Sequence, residues 1–114
     1  MAQGITAVKL EPDGFALFAA RGKIAEVKWS DIDRLRAYQH NVFMYDLTCI
    51  DIHVGNSDNI WILPEDAEGF PAFNDACKQG LKGFNKNWEA TVRATTNSEN
   101  SLVIYSRAPL SGRA

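Results

Sequence analysis

At 114 residues the chain has room for one domain, and burying roughly 65% of the unfolded surface is normal at that size, so no disulfide framework or metal is needed to hold it. With 46% hydrophobic residues, and 12 basic against 14 acidic side chains, it has the composition of an ordinary globular protein rather than a disordered one. The net charge of -2, with Lys and Arg scattered, supplies no basic stripe for nucleic acid.

The start, MAQGITAVKLEPDG, has neither the charged opening nor the apolar run of a signal peptide, and no stretch reaches 18 consecutive apolar residues. The expected location is therefore the cytoplasm, away from membranes. Ile5 to Leu10 reads as a short strand, and Glu11-Pro12-Asp13-Gly14 as a turn in which Pro presets the dihedral and Gly suits the last position. Phe15 to Ala20 forms the second arm, and Arg21-Gly22-Lys23 reverses the chain into Ile24 to Trp29, completing a three-stranded meander.

Ser30 followed by Asp33 resembles a capping box and predicts one helical turn through Ile32. Leu35, Ala37 and Gln39 then alternate with Arg36, Tyr38 and His40, predicting a fourth strand that leads through Asn41 into a long fifth. In that fifth strand Thr48, Ile50, Ile52 and Val54 mark a core face, while Tyr45, Leu47, Cys49, Asp51 and His53 make the other, apolar at its start and polar at its end. Turn formers at 55–59 precede a sixth strand, Ile60-Trp61-Ile62-Leu63, ended by Pro64.

The period then changes. Phe70, Phe73, Cys77, Leu81 and Phe84 recur every three or four residues, predicting one main helix in the region Glu65 to Gly83. Acidic residues near its start, Pro71 in its first turn and Lys78 and Lys82 towards its end all suit the helix dipole. After it, Trp88, Ala90, Val92 and Ala94 alternate with Glu89, Thr91, Arg93 and Thr95 as in a half-buried strand. Thr96 to Ser101 reads as a loop, Leu102 to Tyr105 as a last strand, and Ala108 to Ala114 as a flexible tail. The expected order is six strands, one helix and two further strands in a single domain spanning 1–107.

Three reactive residue types, Cys49, Asp51 and His53, share one strand face. Residues two apart in a strand are separated by about 6.6 Å and four apart by about 13 Å. Cys49 and His53 therefore cannot form a nucleophile and base pair, nor can the three converge on one zinc ion at bond lengths of about 2 Å. His40 on the neighbouring strand could approach His53, but no third ligand is identified. No phosphate-binding loop or nucleophile elbow occurs, and the carboxylates sit at turns and helix starts. Neither a catalytic residue nor a cofactor or metal is expected. Cys49 and Cys77 lie among apolar neighbours that predict reduced, unreactive thiols. The aromatic residues, Phe15, Phe18, Trp29, Trp61, Phe70, Phe73, Phe84 and Trp88, fall on apolar faces as core rather than as a base-stacking platform.

Trp29-Ser30-Asp31-Ile32, Ala37-Tyr38 leading to Asp46 and an apolar strand, Trp61-Ile62 with Gly69-Phe70 opening the helix, and Leu102 to Arg107 together resemble small bacterial pleckstrin-homology-like (PH-like) proteins. The resemblance spans most of the chain. Such proteins are generally of unassigned function, so it implies a fold: α+β, a strongly curved antiparallel sheet or partly open barrel with one main helix packed on it. Two features depart from that pattern. Strands are expected after the helix, and the first turn is acidic where lipid-binding members are basic, so lipid binding is not implied.

These readings lead to a non-enzymatic protein-interaction domain that binds another protein or itself, as an immunity protein neutralising a toxin or as a homodimer. The expected partner surface is the outer face of the long hairpin: Arg36, Tyr38 and His40 beside Tyr45, Leu47 and Cys49. Cover by the helix, or by the strands after it, is the alternative for that face. The rival function is a small-molecule-binding or catalytic domain with a pocket lined by Trp61, Phe73 and Trp88, converging with Asp51, His53 or His40.

Overall fold

Pro12 and Asp13 join β1 (Ala7–Glu11) to β2 (Gly14–Ala19), pairing Leu10 with Phe15 and Glu11 with Gly14 as the turn chemistry demands. Gly14 is needed for space, because a Cβ there would lie 2.0 Å from the Val27 carbonyl oxygen. Gly22, at φ 127°, opens β3 (Gly22–Lys28), which pairs antiparallel with β2 and completes the three-stranded sheet β1-β2-β3. The computed structural model describes residues 4–42, 45–55, 60–93 and 101–107, without the side chains of 40–42, 45, 46 and 93.

A single 3-10 turn at Trp29–Asp31 redirects the chain. Beyond it run β4 (Ile32–Val42), β5 (Tyr45–Val54) and β6 (Ile60–Pro64), and much later β7 (Ser101–Ser106). They form a second antiparallel sheet in the order β6-β5-β4-β7. Two sheets, of three and four strands, thus stand where one curved sheet or partly open barrel was expected, and they are not closed into a barrel.

The inner face of the larger sheet carries Leu35, Ala37, Ile50, Ile52 and Leu63, all fully buried. They join Phe15 and Leu17 of β2 and Phe70, Phe73 and Cys77 of the main helix α1 (Phe70–Gly80) in one core. Its aromatic centre is a triangle. The Phe15 ring lies 5.0 Å from both Trp29 and Phe73.

The start of α1 is held against the edge of β1. Val8 N–H donates to the Glu68 carbonyl at 2.8 Å and Glu68 N–H to that of Thr6 at 2.9 Å. Gly69 follows at φ 88°, where a Cβ would lie 2.1 Å from the Val8 carbonyl oxygen, so only glycine fits.

One expected strand is a helix. Trp88–Arg93 forms α2, and Ala94 and Thr95 lie outside the described residues. Alternation of Trp88, Ala90 and Val92 suggested a strand, but Trp88 and Val92 are also four apart and share a helical face. Both are buried, whereas Ala90 between them is exposed. Asn85 starts the turn: its side-chain oxygen accepts from Asn87 N–H at 3.0 Å, and its own N–H donates to the Ile104 carbonyl of β7 at 2.8 Å. Among the described residues the order is therefore six strands, two helices and one strand. The tail expected from 108 onwards lies outside them.

Candidate functional site

Side chains alternate across a strand, so each inward residue of the four-stranded sheet leaves its neighbours on the outer face. Registers across the sheet assemble these into rows. The central row reads Ile62, Asp51, Arg36, Val103 from β6 to β7. On one side lies the row Ile60, His53, Arg34, Ser106, and on the other Pro64, Cys49, Tyr38, Ser101. Ionisable groups occupy the two central strands and apolar side chains flank them. Ile60, Ile62 and Val103 are 48%, 49% and 45% exposed.

Both described helices put their buried side chains into the inner core, so among the described residues no helix covers the outer face. Arg34, Arg36, Tyr38, Leu47, Asp51 and His53 are half-buried there, and Cys49 is buried beneath its neighbours. Arg36, Tyr38 and Leu47 thus stand on the face expected for them. The backbone positions of His40 and Tyr45 pair with Leu47 and Val42, and their side chains lie outside the described part.

The electrostatics follow from this crowding. Burial raises the Tyr38 phenol above its ordinary range, helped by the charge of Asp51 and a hydrogen bond to it. Burial also pushes the Cys49 thiol up to about 11, with the Asp51, Asp66 and Glu65 carboxylates adding to the effect. His53 is held below its usual value by burial, then by Arg34 and Arg36, against the smaller opposing pull of Asp51 and Asp33. Among the described residues, the buried atoms Arg34 Nε, Arg36 Nε, Asp51 Oδ1 and His53 Nε2 have no hydrogen-bond partner. Such atoms cost about 1–3 kcal/mol each when left unmatched.

Chemically, the face offers donors and acceptors in a polar centre between apolar edges. Among the described residues no group of three His, Cys, Asp or Glu side chains is placed to hold a metal ion. Asp51 and His53 occupy successive outer positions of one strand, and Cys49 Sγ turns to the Leu47 carbonyl at 3.9 Å. Trp61, Phe73 and Trp88 do not frame an open space with them: Phe73 and Trp88 are packed in the core and Trp61 sits half-buried against it.

Arg34, Ile60, Ile62 and Val103 were not among the expected surface residues. The spacing starts the fourth strand at Leu35, whereas β4 begins at Ile32 and Arg34, two residues before Arg36, shares its face by simple alternation. Ile60 and Ile62 carried a usable signal, since Ile-Trp-Ile-Leu is apolar on both faces and only one of them reaches the core. Val103 carried none, because its neighbour Arg36 is remote in sequence.

Comparison with known protein families, curated proteins and solved structures finds no match to this chain.

Proposed function

We propose that this chain is a non-enzymatic protein-interaction domain working through the outer face of the four-stranded sheet. The observation that carries the reading is the flanking of a half-buried Arg, Asp, His and Tyr centre by Ile60, Ile62 and Val103, each about half exposed, on a face that no described helix covers. Tyr and Arg are enriched at interaction surfaces, and apolar side chains grouped on one face of a small domain favour a partner over water. The partner-binding residues proposed are Arg36, Tyr38 and Leu47, with His40 and Tyr45 further along the same hairpin.

The finer form of the proposal is a cytoplasmic PH-like domain acting as an immunity protein against a toxin or as a self-associating module. An antiparallel α+β architecture with one main helix supports the PH-like reading, while β7 after the helices is its departure from that pattern. No helix among the described residues is long and apolar enough to cross a membrane. Against a small-molecule pocket counts the packing of Phe73 and Trp88 into the core.

The test is purification of the tagged chain from its native cells beside the Ile62→Glu and Val103→Glu variants. A stoichiometric companion, another protein or a second copy of the chain, should accompany the wild type and be lost from both variants at unchanged melting temperature. A companion kept by both, or a chain that is alone and monomeric in all three, overturns the reading.

A further inference from the structure

Resting on the interaction reading above, we propose that the occupant of the outer face is the same face of a second copy, related by a two-fold axis running along the strands between β4 and β5. A closed dimer needs a patch complementary to itself. A half-turn about an axis lying in the interface and parallel to the strands exchanges the two sides of the sheet but keeps position along each strand. The central row, Ile62, Asp51, Arg36, Val103, then meets its own reverse. Ile62 lies over Val103 and Asp51 over Arg36, and each contact occurs twice.

An axis across the strands through the same row sets Asp51 against Asp51 and Arg36 against Arg36, which like-charge repulsion forbids. The neighbouring row agrees with the first choice. It places Arg34 over His53, an arginine over an imidazole, and so avoids setting Arg34 against Arg34.

The half-buried pairs of the two rows point the same way. Arg36 and Asp51, and Arg34 and His53, are cross-strand neighbours half-buried on this face, so each arginine has an acceptor residue beside it in register. The proposed axis sets each arginine over the acceptor residue of the other copy. Sheets pack face to face about 10 Å apart with strands aligned to within about 30°, a gap that an arginine and an aspartate together span.

Charge swapping tests this directly. Arg36→Glu makes the centre of the row wholly acidic and Asp51→Arg makes it wholly basic, so each variant alone should lose self-association at least tenfold relative to wild type in sedimentation equilibrium. Mixed in equal amounts, they should form a heterodimer, because the substituted residue of each chain faces its opposite charge in the other. Should either variant fail to fold, Val103→Arg with Ile62→Glu provides the same cross-complementation at exposed positions.

Two folded, complementary variants that do not associate on mixing overturn the proposal, as does a wild type that stays monomeric up to about 1 mM. If the monomeric wild type nevertheless keeps a different companion that Ile62→Glu loses, the second-copy inference falls and the interaction reading stands. If Ile62→Glu alters neither self-association nor a companion, both fall.

Discussion

Trp88 donates its indole N–H to the side-chain oxygen of Asn74 at 2.9 Å, and both residues are buried. The same asparagine donates from Nδ2 to Glu89, and Glu89 pairs with Lys78 at 3.4 Å. One amide thus joins the two helices through both its groups, and α2 is fastened to α1 by polar contacts as well as by packing. Asn74→Ala leaves the indole N–H unmatched in the core and should lower unfolding free energy by about 1–3 kcal/mol in urea titration. A change near zero would mean that packing alone holds α2.

Gly69 should be the least replaceable glycine. Its φ of 88° disfavours a side chain, and the Val8 carbonyl oxygen occupies the space a Cβ needs. Gly69→Ala should cost more than about 1 kcal/mol and release the hydrogen bond from Val8 N–H to Glu68, read as lost amide-exchange protection at Val8. Gly80, with open space around the same position, is the control, and Gly80→Ala should leave Val8 protected.

His53 should make the fold acid-sensitive. Its native proton affinity is lowered by burial and by Arg34 and Arg36, so the unfolded chain binds the proton more tightly. The contribution to stability is then complete above the unfolded value of about 6.5, and is lost as pH falls from there through the lower native value. The melting temperature should drop between about pH 7 and about pH 5, and by less in His53→Gln. Equal drops in both proteins would assign the acid sensitivity to other groups.

Neither cysteine should label in the native state. Burial alone pushes Cys77 up to about 12, and burial with nearby carboxylates pushes Cys49 up to about 11, so little thiolate exists at neutral pH. A thiol reagent should modify both only at the rate of unfolding. Fast labelling of Cys49 would show the outer face opening independently of the core.

A pair of charge insertions separates the two faces of the hairpin. Leu35 is fully buried on the inner face and Leu47 half-buried on the outer. Leu35→Glu places an unpaired charge in the core and should abolish folding or cost about 3–5 kcal/mol, as an uncompensated buried charge does. Leu47→Glu should keep the fold with less than about 1 kcal/mol lost and show its effect in association instead. Unfolding of the Leu47→Glu chain would place that residue in the core.

The strands were readable because their signal is local. Leu35 and Ala37 alternate with charged and aromatic residues, as Ile50 and Ile52 do, and a strand with one buried face requires that spacing whatever it pairs with. The Phe70, Phe73 and Cys77 spacing marked the main helix for the same reason. Trp88 and Val92 misled because a four-residue interval satisfies two strand periods and one helical turn alike. Asn74 and Glu89, which fasten that segment as a helix, act through contacts its own spacing does not reveal.

By itself, then, the sequence determined the hairpins, the main helix and which residues of β4 and β5 point inward, because backbone periodicity ties side-chain direction to neighbours a few residues away. Tertiary structure alone decided that β7 lies beside β4, that the strands divide into two sheets, and that Ile62, Asp51, Arg36 and Val103 form one row. Strand order is set by which edges meet when the core closes. That is a competition among distant segments for shared hydrogen bonds and buried area, and nothing in the spacing within any one strand records its outcome.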